Sequence, residues 1–126
     1  MLIKKYYSVE PDVPANKDLP PKDRVWVELA PFTMPDSDRL QNFKEAAVSD
    51  FGADKAHEMY VNKLVEEVGK KIKGIHNAQY QNDAGEIIDL NTWELFYAYG
   101  PNEQVTWIIR SIGSHSILVR NERKNS

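Results

Sequence analysis

Apolar residues recur along this chain at two spacings, and each spacing predicts a different element. In RVWVEL (24–29), Val25, Val27 and Leu29 alternate with their neighbours, the period of a strand with one buried face. LIKKYY (2–7) is rich in strand formers and predicts the hairpin partner. Farther along, the spacing lengthens to three and four. Leu40, Phe43, Ala47 and Phe51 mark a helix over 33–52, with Thr33 and Asp36 at capping-box spacing, Pro35 in the first turn and Gly52 as the stop. Val61, Val65, Val68, Ile72 and Ile75 mark a longer helix over 53–74, its stripe widened by Tyr60 and Leu64. Lys63, Glu66, Glu67, Lys70 and Lys71 fall on the other side, with Glu66/Lys70 and Glu67/Lys71 four apart in the favourable order. Gly69 weakens the middle of this helix by about 1 kcal/mol relative to Ala. The stripe Val61, Val65, Val68 and Ile72 is expected to serve the core, and it is broad enough for a subunit contact as well.

Between these patterns the chain is less regular. Residues 8–23 hold Pro11, Pro14, Pro20 and Pro21 and predict an irregular, mobile hairpin loop. NDAGEIIDL (82–90) predicts a turn followed by a short extended stretch through Ile87 and Ile88. In DLNTWELFYAYGP (89–101), Leu90, Asn91, Glu94 and Leu95 match the staple and capping positions of one short helix, which Gly100 ends. Pro101 opens another over 101–113, with Val105, Ile108, Ile109 and Ile112 on one face. Trp93, Phe96 and Tyr97 are expected to anchor the first of these helices to the core, leaving Tyr99 for a partner. Ile117 and Leu118 can add a further turn or two before a polar end. The expected architecture is a single, mainly α domain with a small N-terminal β-hairpin (α+β): hairpin 1–32, helical body 33–119 and flexible tail 120–126.

Composition narrows the function classes. A chain of 126 residues, 41% hydrophobic and 10% aromatic, suits one folded domain. Its net charge of −3 supplies no general basic field for nucleic acid or an anionic membrane. There is no cysteine, hence no disulfide, thiol nucleophile or thiolate metal site. No apolar run reads as a signal peptide or a membrane span, so a soluble intracellular chain is expected.

Charge is nevertheless uneven. Residues 82–104 carry Asp83, Glu86, Asp89, Glu94 and Glu103 with no Lys or Arg, whereas 110–126 carry Arg110, Arg120, Arg123 and Lys124 against Glu122. Two solvated faces account for this, and so do salt-sensitive contacts between subunits. Tyr99, Glu94, Glu103, Arg110 and Arg120 are therefore the candidate protein-binding residues.

Catalytic motifs are missing from the sequence. His57, His76 and His115 share no metal-ligand spacing, and no phosphate-binding loop, nucleophile elbow or EF-hand loop occurs. The carboxylate pairs Asp36/Asp38 and Glu66/Glu67 are explained by a helix start and a solvent face. The basic runs 70–73 and 120–126 lack the interleaved aromatics of a single-strand binder. No catalytic, metal or cofactor residue is assigned, and neither nucleic acid nor membrane is expected as a partner.

The order of elements, with IKGIHNAQYQNDAGEIIDLNTWELFYAYGP (72–101) and the closing NERKNS (121–126), resembles the tail assembly chaperones of long-tailed bacteriophages. The resemblance covers most of residues 24–126 in layout; the proline-rich stretch 8–23 has no counterpart. It implies a non-enzymatic protein of the host cytoplasm that binds the tape measure protein, keeps its apolar helices soluble and helps recruit tail tube subunits. Such proteins self-associate, are absent from the mature virion and often have a longer frameshifted form, which a polar chain end would tolerate. The alternatives are a phage head–tail joining or tail-completion protein, which stays in the particle, and a small nucleic-acid-binding regulator.

Overall fold

Val25, Val27 and Leu29 do turn to one buried face, and the strand they define organises the sheet. The computed structural model describes residues 1–113. In it, β1 (Tyr7–Val9) and β2 (Trp26–Leu29) pair antiparallel, with Tyr7 opposite Leu29 and Val9 opposite Val27. The first strand thus lies later than LIKKYY suggested. Only Tyr7 of that run enters the ladder, because the register must set Tyr7 and Val9 over the buried side chains of β2.

The loop joining the strands is not irregular as expected. It contains α1 (Pro14–Lys17) and a 3₁₀ turn at Pro21–Asp23. Asn16, fully buried, holds it in place: its amide donates to the Pro11 and Val25 carbonyls at 3.1 Å, and its oxygen accepts from the Val25 N–H at 2.8 Å. A buried amide satisfied three times fixes the loop against β2.

Two long helices follow, α2 (Met34–Phe51) and α3 (Ala53–Gly69). The expected capping box forms: Thr33 accepts from the Asp36 N–H, and the Asp36 carboxylate accepts from the Thr33 N–H at 2.8 Å. Gly52 separates the helices at φ +85°, a left-handed conformation that a side chain would resist. Here the expected helix over 53–74 is corrected. It stops at Gly69, and Ile72 belongs to a strand, β3 (Ile72–His76), that pairs with β2 to complete the sheet β1-β2-β3. Ile75 stands opposite Val27 and Ile72 opposite Leu29. A helical continuation would take Ile75 off that ladder.

Residues 82–90 do form a turn and an extended stretch: β4 (Gln79–Gln81) and β5 (Ile87–Asp89) make a hairpin. Gly85 lies at φ +82°, and the Asn82 carboxamide oxygen accepts from the Ala84 and Glu86 N–H groups. The chain then enters α4 (Trp93–Tyr99) and α5 (Asn102–Gly113). Val105, Ile108 and Ile112 of α5 are buried with Val27, Leu29, Leu40, Val68, Ile75, Leu90, Trp93 and Phe96 in one core. Each such fully buried large side chain contributes about 1.5–3 kcal/mol over its exposed state. The fold is thus a mainly helical α+β domain, as expected. Among the described residues no helix is long and apolar enough to cross a membrane. The expected flexible tail 120–126, with Arg120, lies outside the described residues, as do His115, Ile117 and Leu118.

Candidate functional site

The aromatic stretch 93–99 is capped by Thr92, not Asn91. Its hydroxyl accepts from the Leu95 N–H, three residues on, so the helix starts one residue later than expected and Glu94 occupies N2. That start decides which face is buried. Trp93 and Phe96 point into the core. At 100° per residue Tyr97 lies about 70° to one side of their midline and Tyr99 about 90° to the other. Tyr97 was expected in the core, but both tyrosines flank the buried face and are close to half exposed, at 47% and 46%. They differ in company: Tyr99 stacks on Tyr80 of the β4–β5 hairpin at 4.8 Å, and Tyr97 tilts against Trp93 at 5.7 Å.

Tyr97 forms one wall of a groove of about 580 Å³ between α3 and α4, with Asn62, Val65, Glu66, Gly69, Lys70, Trp93 and Glu94 as the other lining residues. Trp93 is its floor. Its indole N–H donates to the Val65 carbonyl at 3.0 Å, which satisfies the one polar atom of an otherwise apolar ring. Gly69 makes this possible: a Cβ there would come within 2.9 Å of the Trp93 ring. Val61, one turn before Val65, extends the apolar strip outward and is 37% exposed. Of the expected core stripe, then, only Val68 is fully buried. Val65 is half-buried, Val61 is exposed, and Ile72 is half-buried in β3 instead.

The groove's lining carries both signs of charge: Lys70 pairs with Glu66 at 3.8 Å, while Glu94 forms no ion pair among the described residues. Asp83, Glu86, Asp89, Glu94 and Glu103 are all exposed, and none forms an ion pair among the described residues. Glu103 and Arg110 share a smaller cavity of about 380 Å³ with Val13 and Trp107. They are therefore not brought to the Glu94–Tyr97 groove. Tyr99 stands on the far flank of α4, and Arg120 is not described.

The opposite side of α3 behaves in reverse. Glu67, expected to face solvent, is buried. It meets Arg39 at 3.3 Å, Lys70 at 3.2 Å and Lys63 at 3.6 Å. Arg39 also reaches the buried Asp36 at 2.9 Å, and Lys71 binds Asp36, not Glu67, at 2.7 Å. Burial alone would push both carboxyls up. The hydrogen-bonded Lys71, Thr33 and Arg39 outweigh it at Asp36, and Lys70 and Arg39 outweigh it at Glu67, so both stay below the usual carboxylate range. This cluster ties the start of α2 to the end of α3. Its two buried carboxylates are each held by at least two cations. Elsewhere, His76 stacks on Trp26 at 3.9 Å and meets Glu28 at 3.0 Å on the outer face of the sheet.

Comparison with family models, curated proteins and solved structures finds no match to this chain. The groove must be judged on its own chemistry. It offers apolar side chains an aromatic floor beside the Glu94 carboxylate, which has no ion pair among the described residues. Sequence pattern located the aromatic helix but not the groove. Its one legible signal was Gly69, a glycine inside a helix, which marks a close approach.

Proposed function

We propose that this is a non-catalytic binding protein whose α3–α4 groove receives apolar side chains from a helix of its client. We further propose that it acts as a tail assembly chaperone of a long-tailed bacteriophage. The carrying observation is the groove itself: Trp93 as floor, Val65 and the half-exposed Tyr97 as its apolar lining, and Glu94 beside them without an ion pair among the described residues. A holder of apolar helices needs apolar surface beyond its own core, and neighbouring charge keeps that surface soluble until the client arrives. The client that follows from the family resemblance is the tape measure protein, with tail tube subunits recruited afterwards. The site of action is the host cytoplasm, self-association accompanies the role, and the mature virion lacks the protein.

Affinity purification from phage-infected or induced cells tests this. Tape measure peptides enriched in the eluate, with the protein missing from mass spectra of purified virions, are the expected result. Stoichiometric presence in the virion would instead favour a head–tail joining or tail-completion component. Retention on DNA that falls steeply with salt would favour a nucleic-acid-binding regulator.

A further inference from the structure

A groove larger than the α3–α4 one runs between the N-terminal segment and the start of α2 and measures about 1150 Å³. Its volume exceeds the roughly 300–1,000 Å³ usual for small-molecule pockets, so an element of a protein suits it better. Ile3 and Met34 stand on its walls and remain 71% and 73% exposed. Its rim is basic: Lys4, Lys5, Lys70 and Lys71 line it, and no Asp or Glu does so among the described residues. Lys71 and Lys70 are held by Asp36 and Glu67. Lys5 lies 5.4 Å from the centre of the Tyr6 ring and forms no ion pair among the described residues.

The β4–β5 hairpin carries the opposite charge. Tyr80 and Ile88 stand opposite each other on the face that packs against the core, which turns Ile87 and Asp89 outward. Ile87 is 57% exposed. Asp83, Glu86 and Asp89 around it are exposed too, and residues 79–89 contain no Lys or Arg. The side-chain partners of Asp89 and Glu86 are uncharged amides, Gln79 at 3.0 Å and Asn82 at 3.5 Å. One surface thus sets an aliphatic side chain among three carboxylates, and the other sets two apolar side chains among lysines. We infer that the β4–β5 hairpin of one copy of this chain docks in the basic groove of a second copy. Ile87 then covers Ile3 and Met34, while Asp83, Glu86 and Asp89 face the lysine rim. Opposed charge sets the orientation and the choice of partner, and salt weakens it. The two surfaces come from different parts of the chain, so the contact is head-to-tail. It does not involve the α3–α4 groove and does not rest on the client-binding role.

The absence of cysteine makes a cross-linking test clean. Full-length Ser37→Cys, in the groove, and Ala84→Cys, at the hairpin tip, are mixed and mildly oxidised. In the control, Ser49→Cys near the other end of α2 replaces Ser37→Cys. All three positions are exposed. Docking predicts a mixed disulfide that forms several-fold faster than the control at low salt and slows towards it at high salt. Equal rates, or a rate unmoved by salt, would overturn the proposal. Ile87→Ser gives a second reading with the core intact. Sedimentation equilibrium should show wild type self-associating and the variant doing so about tenfold more weakly at an unchanged melting temperature. A strictly monomeric wild type, or a variant that associates equally well, would overturn it. Neither readout uses the client, so failure of this contact is distinct from failure of client capture.

Discussion

The last two turns of α3 carry two sides that reverse the usual arrangement. On one side Glu67 is buried among Arg39, Lys63 and Lys70; on the other Val65 lines an open groove beside Tyr97, and Val61 one turn earlier is exposed. Hydrophobic periodicity assigns these positions the other way round, with the valines inside and the glutamate outside. The difference lies in the neighbours each side meets. The glutamate side faces the start of α2, which brings Arg39 into contact with Glu67, while Lys63 and Lys70 reach Glu67 from α3 itself and its C-terminal end. A buried carboxylate is tolerable only with such partners. The valine side faces a helix of seven residues that buries only Trp93 and Phe96, too short to cover the strip. An apolar side left open beside a saturated ionic side points to binding on the first and to fastening on the second.

Breaking the core that both sides share should have the largest effect. Val68 is fully buried between them, so Val68→Asp places an unpaired carboxylate in the core. Loss of the cooperative thermal transition is expected, and a wild-type melting temperature would show that the end of α3 is not packed as described. Trp93→Ala comes next. It removes the floor of the groove and should cost about 3–5 kcal/mol, measured by urea denaturation.

Acid sharpens the contrast, because the two carboxylates with lowered pKa values both lie on the fastening side. Asp36 and Glu67 have lowered folded-state pKa values, so the unfolded chain takes up protons first as pH falls. Their contribution is complete above the unfolded carboxylate range, near about 4, and is lost as pH drops through the lower folded values. Melting temperature should therefore fall steadily below about pH 5. Asp36→Asn should melt lower at pH 7 and show a shallower decline; an unchanged slope would mean the cluster contributes nothing. The smallest stability change is expected at Tyr97→Ala, under about 1 kcal/mol, since the ring is close to half exposed.

Some of this was legible in the sequence, for reasons that can be stated. The Thr33/Asp36 capping box, the β2 alternation and the α5 ridge are local, set by residues within a few positions of one another. The end of α3 was not. Val65, Val68, Ile72 and Ile75 keep helical spacing, so nothing nearby reports that Ile72 and Ile75 are claimed by Leu29 and Val27, more than forty positions earlier. The same holds for Asn16, whose amide completes bonds to Val25 nine residues on. As for the site, Glu94, a candidate protein-binding residue in the sequence, lines the groove, whereas Tyr99, Glu103 and Arg110 do not. Tyr97 was missed because shifting the cap from Asn91 to Thr92 does not change spacing; only the seating of Trp93 and Phe96 reveals which tyrosine borders the groove.

The most direct measurement is client capture by the double variant Val61→Ser/Tyr97→Ala, run beside wild type with melting temperature recorded for both. These side chains end the exposed strip without supporting the core. The variant should melt within a few degrees of wild type, because a loss near 1 kcal/mol shifts a domain of this size by about 4 °C. It should recover at most about a tenth as much tape measure protein, since two lost apolar anchors amount to roughly 1.4 kcal/mol or more. Wild-type recovery by a variant that melts normally would contradict the claim that the α3–α4 groove is where this protein holds its client.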